Sequence, residues 1–208
     1  MPGAPVRDFP LFPLGLVALP GEVVPLRIFE ERYKTLIEHC LAEESEFGIV
    51  WMSDDGLREV GCACAITEVL ERDDEGRMNI LTRGTRPFQL LEREERFPYP
   101  AGTVEFLSDR REAADGSLAE LARETYAELV ERATDSRPDS GELAQMGAYD
   151  MAGTVDFGLE AKQGLLDMRS ENARLRLVTR LFRAAMKRMD FVSHAQARAR
   201  SNGKVRFQ

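Results

Sequence analysis

The hydrophobic positions in the first half of the chain fall into short extended runs separated by glycine and proline turns. Residues 9–19 are apolar but contain Pro10 and Pro13, which predicts an edge or irregular strand because proline cannot donate to a strand ladder. Pro20 and Gly21 end this run with a turn. Further strands are predicted at 23–26, 47–52, 60–70, 78–82, 85–92 and 103–107, with 73–76 as the turn of a hairpin.

One helix interrupts these strands. Its apolar side chains recur at helical spacing and are Phe29, Tyr33, Leu36, Ile37, Cys40 and Leu41. Phe29 and Tyr33 lie one helical turn apart and are predicted to be buried anchors, and Arg32 is expected to hold a carboxylate. Charged residues fill the other positions, so this helix is predicted to be amphipathic.

Beyond residue 109 the apolar spacing changes from two residues to the 3.6 residues of a helix. Ser117 with Glu120, and Asp139 with Glu142, match the capping box that opens a helix. The first box precedes an apolar stripe that ends near Val130. Further helices are predicted near 143–151, 159–168 and 171–191.

The chain is therefore predicted to be an α+β protein with three parts. Residues 1–112 form a β-rich part, for which short strands and Gly/Pro turns favour a small barrel or sandwich. Residues 113–192 form a helical part, and residues 193–208 form a tail without apolar spacing. The tail is typical of disordered segments, although a helical extension is also open. Its basic residues are Arg198, Arg200, Lys204 and Arg206.

Charge is distributed unevenly. The net charge is −8, but residues 171–208 hold ten Lys or Arg against two acids, a balance of +8, so the first 170 residues carry −16. A basic helix packed beside acidic helices and an electrostatic docking surface both fit this asymmetry.

The composition is that of an ordinary globular protein. A chain of 208 residues that is 43% hydrophobic and 31% charged can bury a core without disulfides or metals. Cys40, Cys62 and Cys64 are too few for a disulfide framework, and the two histidines lie far in sequence from Cys62 and Cys64, which favours buried small hydrophobes over a metal site. No membrane-length apolar run and no secretory pattern are present, so a cytoplasmic protein with no membrane contact is predicted.

Familiar catalytic patterns are missing from the sequence. It contains no phosphate-binding loop, no nucleophile elbow and no zinc-binding histidine pair. The acidic pairs at 54–55 and 73–74 fall in turns, where carboxylates are mostly solvated. The sequence therefore predicts no catalytic residue, no metal site and no cofactor, and a protein that is not an enzyme.

A series of short segments recurs in an informative order. They are FPLFPLGLVALPG (9–21), VPLRIFEERY (24–33), FGIV (47–50), GTRPFQL (84–90), PYPA (98–101) and KQGLLD (162–167). In this order and spacing they resemble the Lon protease N-terminal domain family over about residues 9–190. Their expected fold determinants are Pro20, Gly21, Phe29, Arg32, Tyr33 and Gly84, the last as the source of a bend.

The resemblance implies a PUA-like β pseudo-barrel packed on an α-helical bundle. In full-length Lon this region precedes the ATPase and protease domains, and helps to capture substrates and to assemble the ring. The resemblance therefore implies a free-standing, non-catalytic module that binds unfolded or partner polypeptides, with a protease among the expected partners. The oligomeric state stays open.

Two other functions are weighed against this one. An RNA-binding PUA-like protein fits the basic C-terminal segment, but the acidic β-rich part disfavours nucleic acid because phosphate binding needs clustered cations. A small-molecule enzyme with an unrecognised site is the other alternative. A groove between the β-rich and helical parts would suit either a peptide or a small molecule.

The candidate peptide-binding residues are Phe97, Pro98 and Tyr99. An aromatic pair between prolines favours an extended and exposed chain, which suits contact with a peptide. Covering the end of the barrel is the alternative role for the same residues.

Overall fold

A computed structural model describes residues 4–202, with side chains described as far as residue 192. The strands are β1 (Val6–Leu14), β2 (Val23–Ile28), β3 (Phe47–Ser53), β4 (Gly56–Leu57), β5 (Val60–Arg72), β6 (Met78–Glu94) and β7 (Ala101–Phe106). The helices are α1 (Glu31–Ala42), α2 (Gly116–Thr134), α3 (Ser140–Gln145), α4 (Ala148–Ala152), α5 (Leu159–Leu166) and α6 (Glu171–Asn202). The β-rich part precedes the helical part, as predicted.

Five of the strands form a closed ring in the order β1-β7-β6-β5-β3, because β1 also pairs with β3. The first part of β1 runs antiparallel to β7, and its last part, Leu11–Leu14, runs parallel to β3. β2 adds to the outer side of β6, and β4 adds to β3. The predicted α+β class with a β pseudo-barrel is confirmed.

Of the two alternatives predicted for the first strand, the edge position does not apply, since β1 has a neighbour on each side. The strand is irregular, as predicted, with a bulge between Val6 and Phe9. The N–H of Leu11 donates to a carbonyl on the β7 side. Backbone groups alternate in direction along a strand, so the nitrogen of Pro13, two residues later, faces β7 as well. Pairing with β7 ends before it, at Pro10. The nitrogen of Pro10 faces β3, where pairing begins only at Leu11. Neither proline therefore interrupts a ladder.

Strand β6 is longer than the sequence pattern indicates. The two strands predicted at 78–82 and 85–92 form one continuous strand that pairs with β5 along its length. Register shifts in the pairing of β5 with β6 absorb the break in the apolar alternation. The predicted turn after Arg72 is present, with Gly76 at a φ of +74°.

The interior of the strand ring is narrow, and it is filled by apolar side chains that pack closely against glycines. The buried side chains that meet there are Phe9, Leu11, Val50, Ala63, Phe88 and Val104, contributed by all five strands. A β-carbon on either Gly48 or Gly61 would lie 2.5 Å from Cζ of Phe88. Glycine is therefore required at both positions for the Phe88 ring to lie between the strands.

The outer face of the ring carries the main core, which α1 covers. Tyr33 packs on Phe12 with ring centroids 4.1 Å apart, and Leu36 and Ile37 are fully buried. The predicted burial of Phe29 is wrong, since 59% of this residue is exposed. The helix begins only at Glu31, so Phe29 lies before its first turn and outside the buried stripe.

The helices of the helical part are capped at or near the predicted residues. Asp115, rather than Ser117, caps α2 by accepting the N–H of Leu118 at 3.1 Å. Asp139 caps the next helix as predicted, but that helix ends at Gln145 and a separate α4 follows. The helix α6 continues past the predicted end at residue 191 to Asn202.

The helix α5 fastens the helical part to the strands by polar contacts that are mostly buried. Lys162 forms an ion pair with Glu22, and the side chains of both are more than four-fifths buried. Gln163 donates to the carbonyl of Val60 at 3.1 Å, which places α5 against the start of β5. These contacts join residues that are far apart in sequence, so the two parts form one structural unit.

The turn at Pro20–Gly21 is fastened to the middle of β6 through Gly84. The N–H of Gly21 donates to the carbonyl of Gly84 at 2.8 Å, and the N–H of Gly84 donates to the carbonyl of Glu22 at 2.9 Å. A β-carbon on Gly84 would overlap the carbonyl of Leu19. Close backbone approach, rather than the predicted bend, is the reason for glycine here.

We expect Gly84→Ala to lower the free energy of unfolding by about 1–3 kcal/mol, because the added methyl group must push the turn away from β6. Urea denaturation followed by circular dichroism measures the change. Gly15→Ala is the matched control, since a β-carbon there meets nothing within 4 Å. Equal midpoints for the two variants would contradict this account of Gly84.

Candidate polypeptide-binding surface

The segment between β6 and β7 carries the three residues that the sequence singles out. Tyr99 is buried, with 7% exposed, and its ring stacks on His39 of α1 at a centroid distance of 5.8 Å. Phe97 is half-buried and lies nearly parallel to Tyr99, with centroids 5.6 Å apart and an angle of 14° between the planes. Pro98 between them is exposed. Tyr99 thus packs beneath the segment, and Phe97 and Pro98 lie on its outer side.

Beside this segment lies a shallow depression with a volume of about 380 Å³. Its apolar lining comes from four separate parts of the chain and includes Pro13, Met52, Leu57, Phe97 and Pro98. Met52 is 47% exposed although it is a large apolar residue at the end of a strand. The depression is therefore a preformed apolar surface that solvent reaches.

Charged residues of both signs surround the apolar lining. Arg32 forms an ion pair with Glu30 at 2.8 Å, as expected, and its guanidinium lies 4.5 Å from the centroid of the Tyr33 ring. Arg93, Glu94 and Glu95 also line the depression. A rim of mixed charge gives the surface no strong preference for a cationic or an anionic ligand.

Arg96 lies over the Phe97 ring, with its guanidinium carbon 5.1 Å from the centroid. It also pairs with Asp8 and Glu94. A hydrogen bond with Glu94 and the interactions with Arg96 hold the pKa of Asp8 below its ordinary value. This charged cluster keeps the segment between β6 and β7 against the start of β1.

The residues expected to determine the fold fall into two groups and one exception. Pro20, Gly21 and Gly84 meet at the joint between the turn and β6. Arg32 and Tyr33 lie on α1, where Arg32 reaches the depression and Tyr33 enters the core. Phe29 stands apart from both groups.

Three lining residues, Pro13, Met52 and Leu57, were missed by reasoning from sequence. Met52 follows a run of buried residues in β3, so the sequence pattern assigns it to the same strand, and Pro13 and Leu57 lie at the ends of β1 and β4. The only signal was position, because Met52 and Leu57 flank the acidic turn at 54–55. Closure of the strand ring brings these residues next to Pro98.

Cysteines and metal-type clusters are the remaining groups that could carry chemistry. Cys40, Cys62 and Cys64 are unpaired and buried, and burial raises the pKa of Cys40 to about 11. Between residues 4 and 192 no group of three or more His, Cys, Asp or Glu side chains could hold a metal ion. The side chains of Arg198 and Arg200, and all of residues 203–208 with Lys204 and Arg206, lie outside the described part.

Comparison with known proteins identifies the family. A profile of the substrate-binding domain of the ATP-dependent protease La (LON) matches residues 8–184. This chain belongs to that family. The Lon protease of Anaeromyxobacter dehalogenans is 29% identical over 194 residues, and Lon protease 2 of Myxococcus xanthus is 27% identical over 194 residues. Each alignment covers 83% of this chain but only 22% and 23% of the respective relative.

Solved structures of LON N-terminal domains share the fold. The Lon N-terminal domain protein from Xanthomonas campestris superimposes with a TM-score of 0.64 at 25% identity, covering 82% of this chain and 96% of that one. The N-terminal domain of the Mycobacterium avium complex Lon protease gives 0.65 at 20% identity, covering 85% and 98%. The LON substrate-binding fold thus spans both the strand ring and the helices.

None of the helices within the described residues is both long enough and apolar enough to cross a membrane.

Substitutions beneath the depression and in its lining should lower the free energy of unfolding by different amounts. We expect Tyr99→Ala to lower the free energy of unfolding by about 3–5 kcal/mol, because a buried, stacked ring is removed. Met52→Ala should lower it by less than about 1 kcal/mol, because the side chain is half exposed. Thermal and urea denaturation of the two variants measures the difference. A larger loss for Met52→Ala would show that the depression is not a free surface.

Proposed function

We propose that this chain is a non-catalytic module that binds polypeptides and that it contacts apolar segments of unfolded or partner proteins at the depression beside Phe97 and Pro98. The observation that carries the proposal is that exposed Met52 and Pro98 and half-buried Phe97 come together in a concave surface beside the strand ring. Membership of a family described as substrate-binding domains supports it.

The shape of the depression favours short apolar segments. Burying one large apolar side chain contributes about 1.5–3 kcal/mol, and the volume admits one or two such side chains. Ordering a flexible segment costs conformational entropy, which offsets part of this gain. Weak affinities follow, at the millimolar end of the range and no stronger than about −6 kcal/mol. Weak binding of this kind suits a module that samples many polypeptides.

The mixed rim supports broad recognition of polypeptide. Arg32 and Arg93 offer donors, and Glu94 and Glu95 offer acceptors, to the backbone of an extended segment. Because neither sign of charge dominates, apolar content rather than charge would select the ligand. A protease that receives such segments is the partner we propose for the module.

The binding test compares two labelled peptides by fluorescence anisotropy, one alternating Phe and Leu with Ser, and one with every Phe and Leu replaced by Gly. We expect the intact protein to bind only the first. Met52→Glu combined with Pro98→Glu should weaken this binding at least tenfold, because two charges would enter the apolar lining.

Val23→Glu is the matched control for the binding test, since Val23 is 46% exposed and lies on β2. Unchanged binding by the double variant would refute this site. Binding of an RNA oligomer that falls steeply with salt would favour the nucleic-acid alternative instead.

The absence of catalytic function is tested separately. We expect the purified protein neither to hydrolyse ATP nor to degrade unfolded casein, because its sequence carries no phosphate-binding loop and no recognisable nucleophile. Phosphate release and casein gels measure the two reactions. Activity that follows the protein peak through a second purification would contradict the proposal.

A further inference from the structure

The helix α6 carries a row of cations on its exposed face. Arg176, Arg180, Arg183 and Lys187 are spaced four, three and four residues apart, which aligns them on one side of a helix over about 16 Å. Arg188 follows one position later and is also exposed. Within residues 4–192 no carboxylate forms an ion pair with any of the five, whereas Arg132 and Arg174 nearby are paired. The row is therefore available to a ligand.

An apolar groove lies on a neighbouring face of the same helix, with Arg188 in its lining and Ala184, at its edge, one helical turn from Arg180 and Lys187. Its floor is formed by Leu181, Ala184, Ala185 and Val192 of α6, and its opposite wall by the segment from Asp156 to Gly158. The floor residues span eleven positions on one side of α6, so the groove follows the helix axis for about three turns. Its volume is about 750 Å³. Val192 and Phe191 at its end are 45% and 74% exposed.

Concavity and charge together define what would fit. A flat membrane surface does not match a concave groove, and a phosphate backbone would place charge rather than apolar surface on Leu181 and Val192. An amphipathic helix matches both features, because one face can enter the groove and its flank can face the cations. The acids near α6 do not compete for the row, since Asp190 is held by Arg132 and Asp156 lies in the far wall.

We propose that the groove on α6 is a docking site for an acidic amphipathic helix of a partner protein. The apolar residues of that helix, at spacings of three and four, occupy the floor between Leu181 and Val192. Its acidic residues face Arg180, Lys187 and Arg188. This site takes a folded helix chosen by charge, whereas the depression beside Phe97 takes extended apolar segments. The two sites share no lining residue.

The test uses the full chain and two designed helical peptides of equal length with the same Leu and Phe positions. One carries Glu at the flanking positions and the other carries Lys. In fluorescence anisotropy at moderate salt we expect the Glu peptide to bind at least tenfold more tightly than the Lys peptide. Equal binding of the two peptides would overturn the proposal, because charge would then play no part.

Variants locate the binding on the groove. Ala184→Glu places a charge on the exposed floor and is expected to weaken Glu-peptide binding at least tenfold. Arg180→Glu with Lys187→Glu should weaken the Glu peptide similarly and strengthen the Lys peptide. Arg27→Glu, an exposed and unpaired cation of β2 within the described residues, is the matched charge control and should leave both unchanged. Thermal melting checks that each variant is folded.

Two further probes separate the alternative ligands. Binding of an RNA oligomer, or of vesicles containing anionic lipid, that is lost in the Arg180/Lys187 variant but kept in Ala184→Glu would assign the row of cations to phosphates and overturn the proposal. Loss of Glu-peptide binding in both groove variants, with apolar-peptide binding at the depression unchanged, supports it. The depression can fail its own test without affecting this result.

Discussion

The ring of Phe88 is the constraint on which the strand ring depends. It lies between Gly48 on β3 and Gly61 on β5, at positions where any β-carbon would be 2.5 Å from its edge. Phe9 packs against it edge to face, with centroids 5.5 Å apart, which draws β1 inward to pair with β3. With so little space inside, most large apolar side chains face outward, and the main core forms where the helices cover the ring.

A buried guanidinium ties the helical part to the end of the strands. Arg174 is only 3% exposed, donates to Asp109 and Glu171, and lies 4.4 Å from the centroid of Tyr149. Burial alone would lower the pKa of Arg174, but these hydrogen bonds raise it overall. Burial also raises the pKa of Tyr149 to about 12. Removing a partner would leave a buried charge uncompensated, which is strongly destabilising. These contacts therefore fix the position of α6 against the strands.

The two proposed surfaces follow from this construction. The depression lies where the ends of β1 and β3 meet the segment after β6, so its apolar residues are held by the ring and keep their places without a ligand. The groove lies on the half of α6 beyond the main core, where the helix is covered on fewer sides. One surface belongs to the strand ring and the other to the helix that follows it, and the linings given for them have no residue in common.

Local pattern determined the kinds of element, and tertiary contacts decided their ends and their neighbours. Helical spacing indicated Tyr33, Leu36 and Ile37 as buried, and Gly76 marked its turn, because periodicity and backbone freedom are properties of a few adjacent residues. Phe29 follows the same spacing yet is exposed, since the helix begins after it. The two neighbours of β1, the joining of two predicted strands in β6, and the meeting of Met52 with Pro98 depend on closure of the ring. Closure brings together residues from distant parts of the chain, and no local pattern records which of them will be covered.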